Sequence, residues 1–352
     1  MQTRRVTING REIGADRPPY VIAELSANHN GSLERALRIV EIAKQAGADA
    51  VKLQSYRADT ITIDHDGPEF RISGGLWDGQ RLYDLYASAA MPWEWHEPLF
   101  KRARELGIAM FSSPFDESAV DLLQSLDAPA FKIASLELCD IPLIERVAAA
   151  GKPIIMSTGA SELGDIAEAV AAARRAGCAE LILLQCTSGY PTPPADSNLH
   201  TIPHLAEMFD VVVGLSDHTM GTAVPVAAVA LGAAVIEKHV TLARADGGVD
   251  SAFSLEPEEL AQLVADCRTG WEALGQVRYG IAGSEAGVRP LRRSLYVVQD
   301  IAAGEVITGA HVRSIRPGNG LAPKHLPAIL GRRTARQVKR GTPVDWTMLA
   351  PE

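Results

Sequence analysis

The segment AAVIEKHVTL, residues 233–242, begins like a buried β-strand and becomes polar before it ends. Four apolar residues are followed directly by Glu237, Lys238 and His239. Seven earlier apolar runs change in the same way at or just beyond their carboxyl ends: YVIAE (20–24), AVKLQ (50–54), IAMFSS (108–113), AFKIAS (130–135), PIIMST (153–158), LILLQC (181–186) and VVVGLS (211–216). Together with AVIEKH (234–239), the sequence therefore contains eight candidate strands with polar ends.

The segments between these runs have a helical period. SLERALRIVEIAKQAGA (32–48) and DIAEAVAAARRAGCAE (165–180) place apolar residues every three or four positions, and a glycine closes each helix. Strands that alternate with helices favour a parallel sheet, and eight such units predict an α/β fold of the (β/α)8 TIM barrel class. An open doubly wound sheet is the alternative, but no Gly-x-Gly-x-x-Gly turn follows the first run.

Composition limits the classes of protein that the chain can belong to. Its 352 residues carry a formal net charge of −9 and are 47% hydrophobic, which is typical of a globular protein and disfavours binding to nucleic acid or an anionic membrane. The amino terminus lacks an apolar signal segment, and no apolar run is long enough to span a membrane, so we expect a cytoplasmic protein. Four widely spaced cysteines without a Cys-x-x-Cys pair argue against a disulfide framework or a zinc knuckle.

In a TIM barrel the polar strand ends meet on one face, which carries the active site. Lys52 and Lys132 lie inside apolar strands, and burying an unpaired ammonium costs several kcal/mol unless an anion meets it. Hydroxyl side chains lie at or just beyond four of the strand ends: Ser135, Ser157, Ser188 and Ser216. These side chains predict a site for a small phosphate or carboxylate ligand.

Two histidines occupy equivalent positions on neighbouring strands. His218 and His239 follow strands seven and eight and are flanked by Asp217 and Glu237. Two imidazoles at the same depth predict a site for one divalent metal with positions left open for a substrate oxygen. The residues alone leave Mn²⁺, Mg²⁺, Co²⁺ and Zn²⁺ open.

The motifs resemble those of the sialic acid synthase family, whose members condense phosphoenolpyruvate with an amino sugar to form nine-carbon 2-keto acids. The resemblance runs in order through AELSANHNGSLERAL, VKLQSY, FSSPFD, FKIAS, STGA, CTSGYPTP, GLSDHT, EKHVTL and GGVDSAFSLEPEEL. From residue 290 the βα rhythm stops, and the valine-, glycine- and proline-rich sequence resembles the small β-rich antifreeze-like (SAF) domain of this family. We therefore expect a catalytic barrel at 1–280, a linker at 281–292 and the SAF domain at 293–352.

The resemblance also implies roles for individual residues. It places phosphoenolpyruvate against Lys52, Lys132 and the four serines, and a metal on His218 and His239, with Mn²⁺ as first choice and Mg²⁺ or Co²⁺ as alternatives. Glu137 is the implied base for water addition, Glu24 positions the sugar or the water, and Glu237 orients a ligand histidine or neutralises Lys238. The implied sugar contacts are Gln54, Tyr190, Asp250 and Arg316.

In the family the SAF domain covers the active site of the partner subunit, so the resemblance implies a domain-swapped homodimer. Arg316 lies in the motif RPGNG, through which the partner's domain would reach the sugar.

The segment between strand two and the following helix bears on the choice of sugar. GLWDG (75–79) and PWEWH (92–96) resemble the branch of the family that makes pseudaminic acid, and an aromatic surface suits a 6-deoxy, bis-acetamido sugar. The resemblance leads us to expect threonine at position 91 and lysine at position 185, where this chain has Met91 and Gln185. These two departures bear on which sugar the protein selects. Synthesis of N-acetylneuraminic or legionaminic acid remains an alternative, as does a non-catalytic carbohydrate-binding protein.

Overall fold

A computed structural model describes residues 4–351 of the chain. The chain divides between Gly275 and Gln276 into two compact units, Met1–Gly275 and Gln276–Glu352. The boundaries expected at residues 280 and 292 stay predictions, since the division into compact units does not test where a linker begins or ends.

The strands of the first unit are β1 Val6–Ile8, β2 Arg11–Ile13, β3 Tyr20–Glu24, β4 Ala50–Ser55, β5 Ala109–Pro114, β6 Phe131–Ile133, β7 Ile154–Ser157, β8 Leu181–Cys186, β9 Val212–Asp217 and β10 Val235–His239. Among the described residues, eight of them form a closed parallel barrel with neighbours in the order β10-β3-β4-β5-β6-β7-β8-β9. The prediction of a TIM barrel is confirmed.

Helices surround the barrel, and their apolar faces pack against the outward-pointing side chains of the strands. The segment between β4 and the next barrel strand is the longest connection in this part of the fold and holds three helices. The helices are α1 Leu33–Gln45, α2 Ala58–Ile61, α3 Leu82–Ala89, α4 His96–Leu106, α5 Glu117–Ser125, α6 Ile141–Ala148, α7 Leu163–Arg175, α8 Thr201–Phe209, α9 Ala223–Ala230 and α10 Pro257–Leu274.

Local sequence explains where helix α1 begins and ends. The side chain of Ser32 accepts a hydrogen bond from the backbone N–H of Arg35, which satisfies one of the free donors at the helix start. Gly47 follows the helix with φ +87°, a conformation that a residue with a Cβ rarely adopts. The chain can therefore turn directly into β4.

The alternation of side chains along each strand separates two cores. On β10, Val235 belongs to the cluster inside the barrel, whereas Ile236 belongs to the cluster between barrel and helices. Continuing this period of two places Glu237 and His239 on the inner side and Lys238 on the outer side. The polar ends of the strands therefore divide into those that face the barrel axis and those that do not.

A short antiparallel hairpin, β1 with β2, precedes the barrel and was not predicted. Val6, Ile8 and Ile13 from this hairpin join the cluster inside the barrel, which includes Tyr20 and Phe111. The two strands have three residues each, too few to show an alternating pattern that can be recognised.

The second unit is small and β-rich. Its strands β11 Ser294–Val297 and β12 Val312–Ile315 pair antiparallel, and α11 Leu326–Ile329 is its short helix. Ten buried side chains, among them Leu295, Val312 and Met348, form its own core. The prediction of a barrel followed by a small β-rich domain is confirmed. None of the helices formed by residues 4–351 is long and apolar enough to span a membrane.

Candidate active site

One cavity of about 360 Å³ lies at the carboxyl ends of the barrel strands. All but two of the residues predicted from the sequence line it: Lys52, Gln54, Lys132, Ser135, Glu137, Ser157, Ser188, Tyr190, Ser216, His218, His239 and Asp250. Of the other two, Glu24 contacts two of the lining residues, and Arg316 belongs to the second unit. Barrel closure thus gathers side chains that are up to about 200 residues apart in the sequence.

The floor of the cavity is a buried network of two ammonium groups and two carboxylates. Lys52 Nζ lies 3.1 Å from Glu24 Oε2 and 3.3 Å from Glu237 Oε1. Lys132 Nζ lies 3.7 Å from the same Glu237 oxygen. All four side chains are at most 5% exposed, so their charges interact with little screening by solvent.

The two lysines differ in their electrostatic surroundings. Burial by itself lowers the pKa of Lys52, but Glu237 and Glu24 outweigh this effect and raise the pKa above its ordinary value. Burial lowers the pKa of Lys132, because Glu237 offsets the loss of solvation only in part and Lys52 repels the second charge. An incoming anion would stabilise the charged form of Lys132 most, since this ammonium has the weaker carboxylate partner.

Hydroxyl groups surround the two ammonium groups. Lys132 Nζ donates to Ser157 Oγ at 2.7 Å, and Ser216 Oγ donates to Glu237 Oε1 at 3.1 Å. Ser135 Oγ accepts a hydrogen bond from the backbone N–H of Gly159 at 3.1 Å. A Cβ at position 159 would displace the hydroxyls of Ser188 and Ser135, so the glycine leaves room for both of them.

The two histidines lie side by side, with ring centroids 5.4 Å apart. His218 Nδ1 is 3.0 Å from the carbonyl oxygen of Thr187, which can only accept, so Nδ1 carries a proton and Nε2 is the ligating atom when the ring is neutral. His239 Nδ1 is buried and has no hydrogen-bond partner among the described residues. Burial lowers the pKa of His239 well below its ordinary value, which favours the neutral, ligating form.

The two imidazoles fit a divalent metal, but they differ in charge. Burial lowers the pKa of His218, whereas its hydrogen bond to Cys186 and the charge of that thiol outweigh burial and raise this pKa, so His218 must lose its Nε2 proton before it can bind a metal. Asp250 Oδ2 is 4.0 Å from His239 Nδ1, too far for a hydrogen bond. No group of three or more His, Cys, Asp or Glu side chains in the described part of the chain is arranged to hold a metal. The fit thus depends on His218 and His239 and on oxygen ligands from outside the protein.

Two carboxylic acids differ from ordinary surface acids. Burial raises the pKa of Glu137 from 4.5 to about 6, and this residue lies in the turn directly after β6. Burial also raises the pKa of Glu24, although Lys52 opposes the shift. Gln54 Nε2 donates to Glu24 Oε1 at 2.9 Å and so fixes the direction of the carboxyl group. Raised carboxyl pKa values in a cavity are typical of groups that transfer protons.

The expectation that Glu237 neutralises Lys238 is wrong. Glu237 points to the barrel axis and contacts Lys52, Lys132 and Ser216, whereas Lys238 forms a buried ion pair with Asp217. Adjacent residues on a strand point to opposite faces, so they cannot pair with each other inside a barrel wall.

Cys186 lines the cavity but is not among the site residues expected from the sequence. Burial alone would raise the pKa of its thiol, but His218, Ser135 and Lys132 lower the pKa to about 7. The signal was present in the alternation of β8, since Ile182 and Leu184 belong to the cluster inside the barrel and Cys186 follows at the same spacing.

The three tryptophans between β4 and α4 have different surroundings. Trp77 lines the cavity, and its ring centroid is 5.6 Å from that of Tyr190. Trp93 stacks on the guanidinium of Arg57, and Trp95 packs edge-on against His29. Trp93 and Trp95 are absent from the residues that line the cavity, so only part of the aromatic surface expected there is present.

Arg316 lies in the second unit, one residue after β12, and is exposed. The bond that joins it to Pro317 is a cis peptide. Its assignment to the sugar stays a prediction.

A shallower depression of about 770 Å³ lies beside the carboxyl ends of β7 and β8. Its described lining includes the acidic Glu162 and Asp196 but no lysine or arginine. Because it offers no cation to an acidic ligand, the cavity at the barrel axis is the better candidate site for such a ligand.

Known proteins are similar to the chain over most of its length. The chain is 43% identical over 326 residues to a pseudaminic acid synthase of Campylobacter jejuni, covering 93% of this chain and 95% of the relative. A pseudaminic acid synthase of Helicobacter pylori is 41% identical over 330 residues, covering 94% and 97%. The crystal structure of an N-acetylneuraminic acid synthetase from Leptospira borgpetersenii matches with a TM-score of 0.73 at 32% identity, over 81% of this chain and 95% of that one.

Family models match both units of the chain. The SAF domain matches residues 292–350, which confirms the resemblance seen in the carboxyl-terminal sequence. The NeuB family matches residues 39–279, and its match covers more than half of the chain. The chain belongs to the NeuB family of sialic acid synthases and carries a SAF domain after its barrel.

Proposed function

We propose that the protein is a pseudaminic acid synthase. It condenses phosphoenolpyruvate with 2,4-diacetamido-2,4,6-trideoxy-L-altrose and water, releases phosphate and forms a nine-carbon nonulosonic acid. The observation that carries this proposal is the joint burial of Lys52 and Lys132 at one cavity beside His218 and His239. The 43% identity to the Campylobacter enzyme supports the choice of product.

The two lysines and the serine hydroxyls bind phosphoenolpyruvate. Its phosphate and carboxylate take the place of solvent next to Lys132 and Lys52, and Ser135, Ser157, Ser188 and Ser216 supply hydrogen bonds. Buried ammonium groups hold an anion more strongly than exposed ones, because the local dielectric constant is lower. Glu237 contacts both ammonium groups and so favours their charged forms and holds them in place before the ligand arrives.

His218 and His239 would hold a divalent metal, with Mn²⁺ as the first choice and Mg²⁺ or Co²⁺ as alternatives. Bound there, it would supply Lewis-acid polarisation of the aldehyde oxygen of the open-chain sugar. The hydrogen bond from His218 Nδ1 to Thr187 keeps the Nε2 lone pair available for a ligand.

The carboxyl groups direct the addition of water. Carbon 3 of phosphoenolpyruvate attacks the aldehyde carbon, and positive charge develops at carbon 2. Water then adds to carbon 2. Glu137 accepts the proton from this water, because its raised pKa makes it a stronger base than an exposed glutamate. Glu24, fixed by Gln54 and Lys52, orients the sugar or the water. The former aldehyde oxygen takes up the proton that the water gave to Glu137. Phosphate then leaves with cleavage of its C–O bond and carries away the proton of the carbon 2 hydroxyl, whose oxygen becomes the keto group.

Gln54, Tyr190 and Asp250 contact the sugar within the barrel cavity. We propose that Arg316 of the partner subunit completes the sugar site in a domain-swapped homodimer. The exposure of Arg316 and the family match of the SAF domain support this assignment.

Phosphate release tests the function. The protein is incubated with phosphoenolpyruvate and, in separate reactions, with the diacetamido trideoxy-altrose, its legionaminic-type mannose analogue and N-acetylmannosamine, each with and without a metal chelator. We expect fastest turnover with the altrose sugar and loss of turnover with chelator. Turnover restricted to N-acetylmannosamine would assign the protein to the sialic branch, and no turnover with any sugar would favour a carbohydrate-binding protein.

A further inference from the structure

The cavity has two chemically different walls. A polar wall carries the lysines, carboxyls, hydroxyls and histidines described above. The apolar wall comes mostly from the segment of residues 56–89, the excursion between β4 and α4. Among the described lining residues, this segment contributes no charged group. Its side chains in the lining are apolar or aromatic and include Tyr56, Ile61, Ile72, Trp77, Leu82 and Tyr86.

Trp77 is held in this wall from two sides. Its indole Nε1 donates to the carbonyl oxygen of Val249 at 3.2 Å, which ties the excursion to the segment after β10. Its ring packs against Tyr190, whose own ring centroid is 4.4 Å from that of His218. The polar atom of the indole is thus satisfied by the protein, and the remaining surface that Trp77 offers to the cavity is apolar.

An apolar wall distinguishes a sugar with a methyl group at carbon 6 from a sugar with a hydroxymethyl group there. A methyl group placed against it gains by leaving water, whereas a hydroxymethyl group there loses its hydrogen bonds to water without replacement. A wall of this kind discriminates by roughly one to two orders of magnitude, as is typical of hydrophobic pockets.

We propose that Trp77 is a specificity-determining residue that recognises the methyl-bearing carbon 6 of the deoxy sugar. Ile72 and Leu82 extend the same apolar surface. The proposal rests on the proposed function and deepens it, because it assigns the choice of a 6-deoxy substrate to one segment of the chain. Trp93 and Trp95, which pack elsewhere, have no such role.

The test compares two sugars that differ only at carbon 6. The specificity constant kcat/KM is measured with the 6-deoxy diacetamido sugar and with its 6-hydroxy counterpart, and phosphoenolpyruvate is titrated in the same assays. We expect the unmodified protein to prefer the deoxy sugar about 10- to 100-fold. Trp77→Gln should reduce this preference at least five-fold, because its amide can bind the additional hydroxyl, and the KM for phosphoenolpyruvate should change less than two-fold.

Two further variants keep the result interpretable. Trp77→Phe preserves an apolar aromatic ring and should keep most of the preference even if Trp77→Gln folds poorly. Leu76→Ala is the matched control, since Leu76 is in the same turn but is 49% exposed, and the preference should be unchanged.

The two proposals fail in different ways. If the unmodified protein turns over neither sugar, the proposed function is wrong, and the inference falls with it. If the protein turns over the deoxy sugar but folded Trp77→Gln keeps the preference of the unmodified protein, or Trp77→Phe loses it, only the role of Trp77 is overturned. The role of Trp77 would also be overturned if Leu76→Ala reduced the preference as much as Trp77→Gln does. The effect would then come from the loop and not from the indole.

Discussion

Lys238 and Asp217 form a buried ion pair between β10 and β9, and each is next in sequence to one of the two site histidines. Lys238 also donates to the carbonyl oxygen of Thr219, whose backbone N–H and hydroxyl both donate to Asp217 at 3.0 Å. Both charged side chains are at most 2% exposed. The pair therefore joins the ends of the two strands that present His239 and His218.

Removing one member of this pair should destabilise the protein strongly. Lys238→Met leaves Asp217 buried without its cation, which costs about 3–5 kcal/mol. Equilibrium unfolding in urea measures the loss. The double variant Lys238→Met/Asp217→Leu should lose less than Lys238→Met, because it leaves no unpaired buried charge. A single variant as stable as the unmodified protein would show that the ion pair does not fix these strand ends.

His239→Ala should abolish turnover while the fold remains intact. It removes one of the two imidazoles proposed to hold the metal, so metal content after dialysis should fall with activity. Elemental analysis, a circular dichroism spectrum and the phosphate-release rate check this. His200→Ala, at an exposed histidine outside the cavity, is the control and should retain both metal and activity. Unchanged kcat with metal still bound in His239→Ala contradicts the assignment.

Arg316→Ala should raise the KM for the sugar far more than the KM for phosphoenolpyruvate, since the arginine is assigned to the sugar alone. We expect a rise of at least ten-fold for the sugar and less than two-fold for phosphoenolpyruvate. Arg313→Ala changes another exposed arginine of the same unit and should affect neither value. Equal effects on the two substrates would remove Arg316 from the sugar site.

Glu137→Gln should lower kcat at least 100-fold, the usual contribution of a general base. In the unmodified protein, kcat should fall with a slope of one as the pH drops below about 6, because Glu137 must be ionised to accept a proton. A kcat that is independent of pH between 5 and 8 would exclude Glu137 as the base.

The same substitution should stabilise the fold at neutral pH. Because folding raises the pKa of Glu137 from 4.5 to about 6, its contribution to stability is present below 4.5 and lost as the pH rises through 6. Glu137→Gln should therefore gain about 2 kcal/mol at pH 8. The gain should shrink toward zero near pH 4.5. Unfolding curves at the two pH values check this, and an equal gain at both would mean that ionisation is not the cause.

The barrel and most of its site could be predicted from the sequence, because each strand shows a change from apolar to polar residues at its carboxyl end. AVKLQ and AVIEKH each place a charged residue at the point where an apolar strand ends, and in a barrel all such points meet. The side chains of Lys52, Lys132, His218 and His239 lie at one cavity for this reason.

The pairings inside the site did not follow from sequence, because they depend on the register between strands. Lys238 is opposite Asp217 and Glu24 is opposite Lys52, and neither relation can be read from a single strand. The hairpin β1–β2 was missed because its strands are too short to show a period. Cys186 was missed because cysteine is so often an ordinary buried residue.

The most direct test of the account follows the bridging oxygen of phosphoenolpyruvate. Phosphoenolpyruvate labelled with oxygen-18 between carbon 2 and phosphorus is incubated with the protein, Mn²⁺ and the diacetamido trideoxy-altrose, and both products are analysed by mass spectrometry. The account predicts an unlabelled nine-carbon keto acid and labelled phosphate, because water adds at carbon 2 and the C–O bond breaks. Label retained in the keto acid, or the absence of a nine-carbon product, would contradict it.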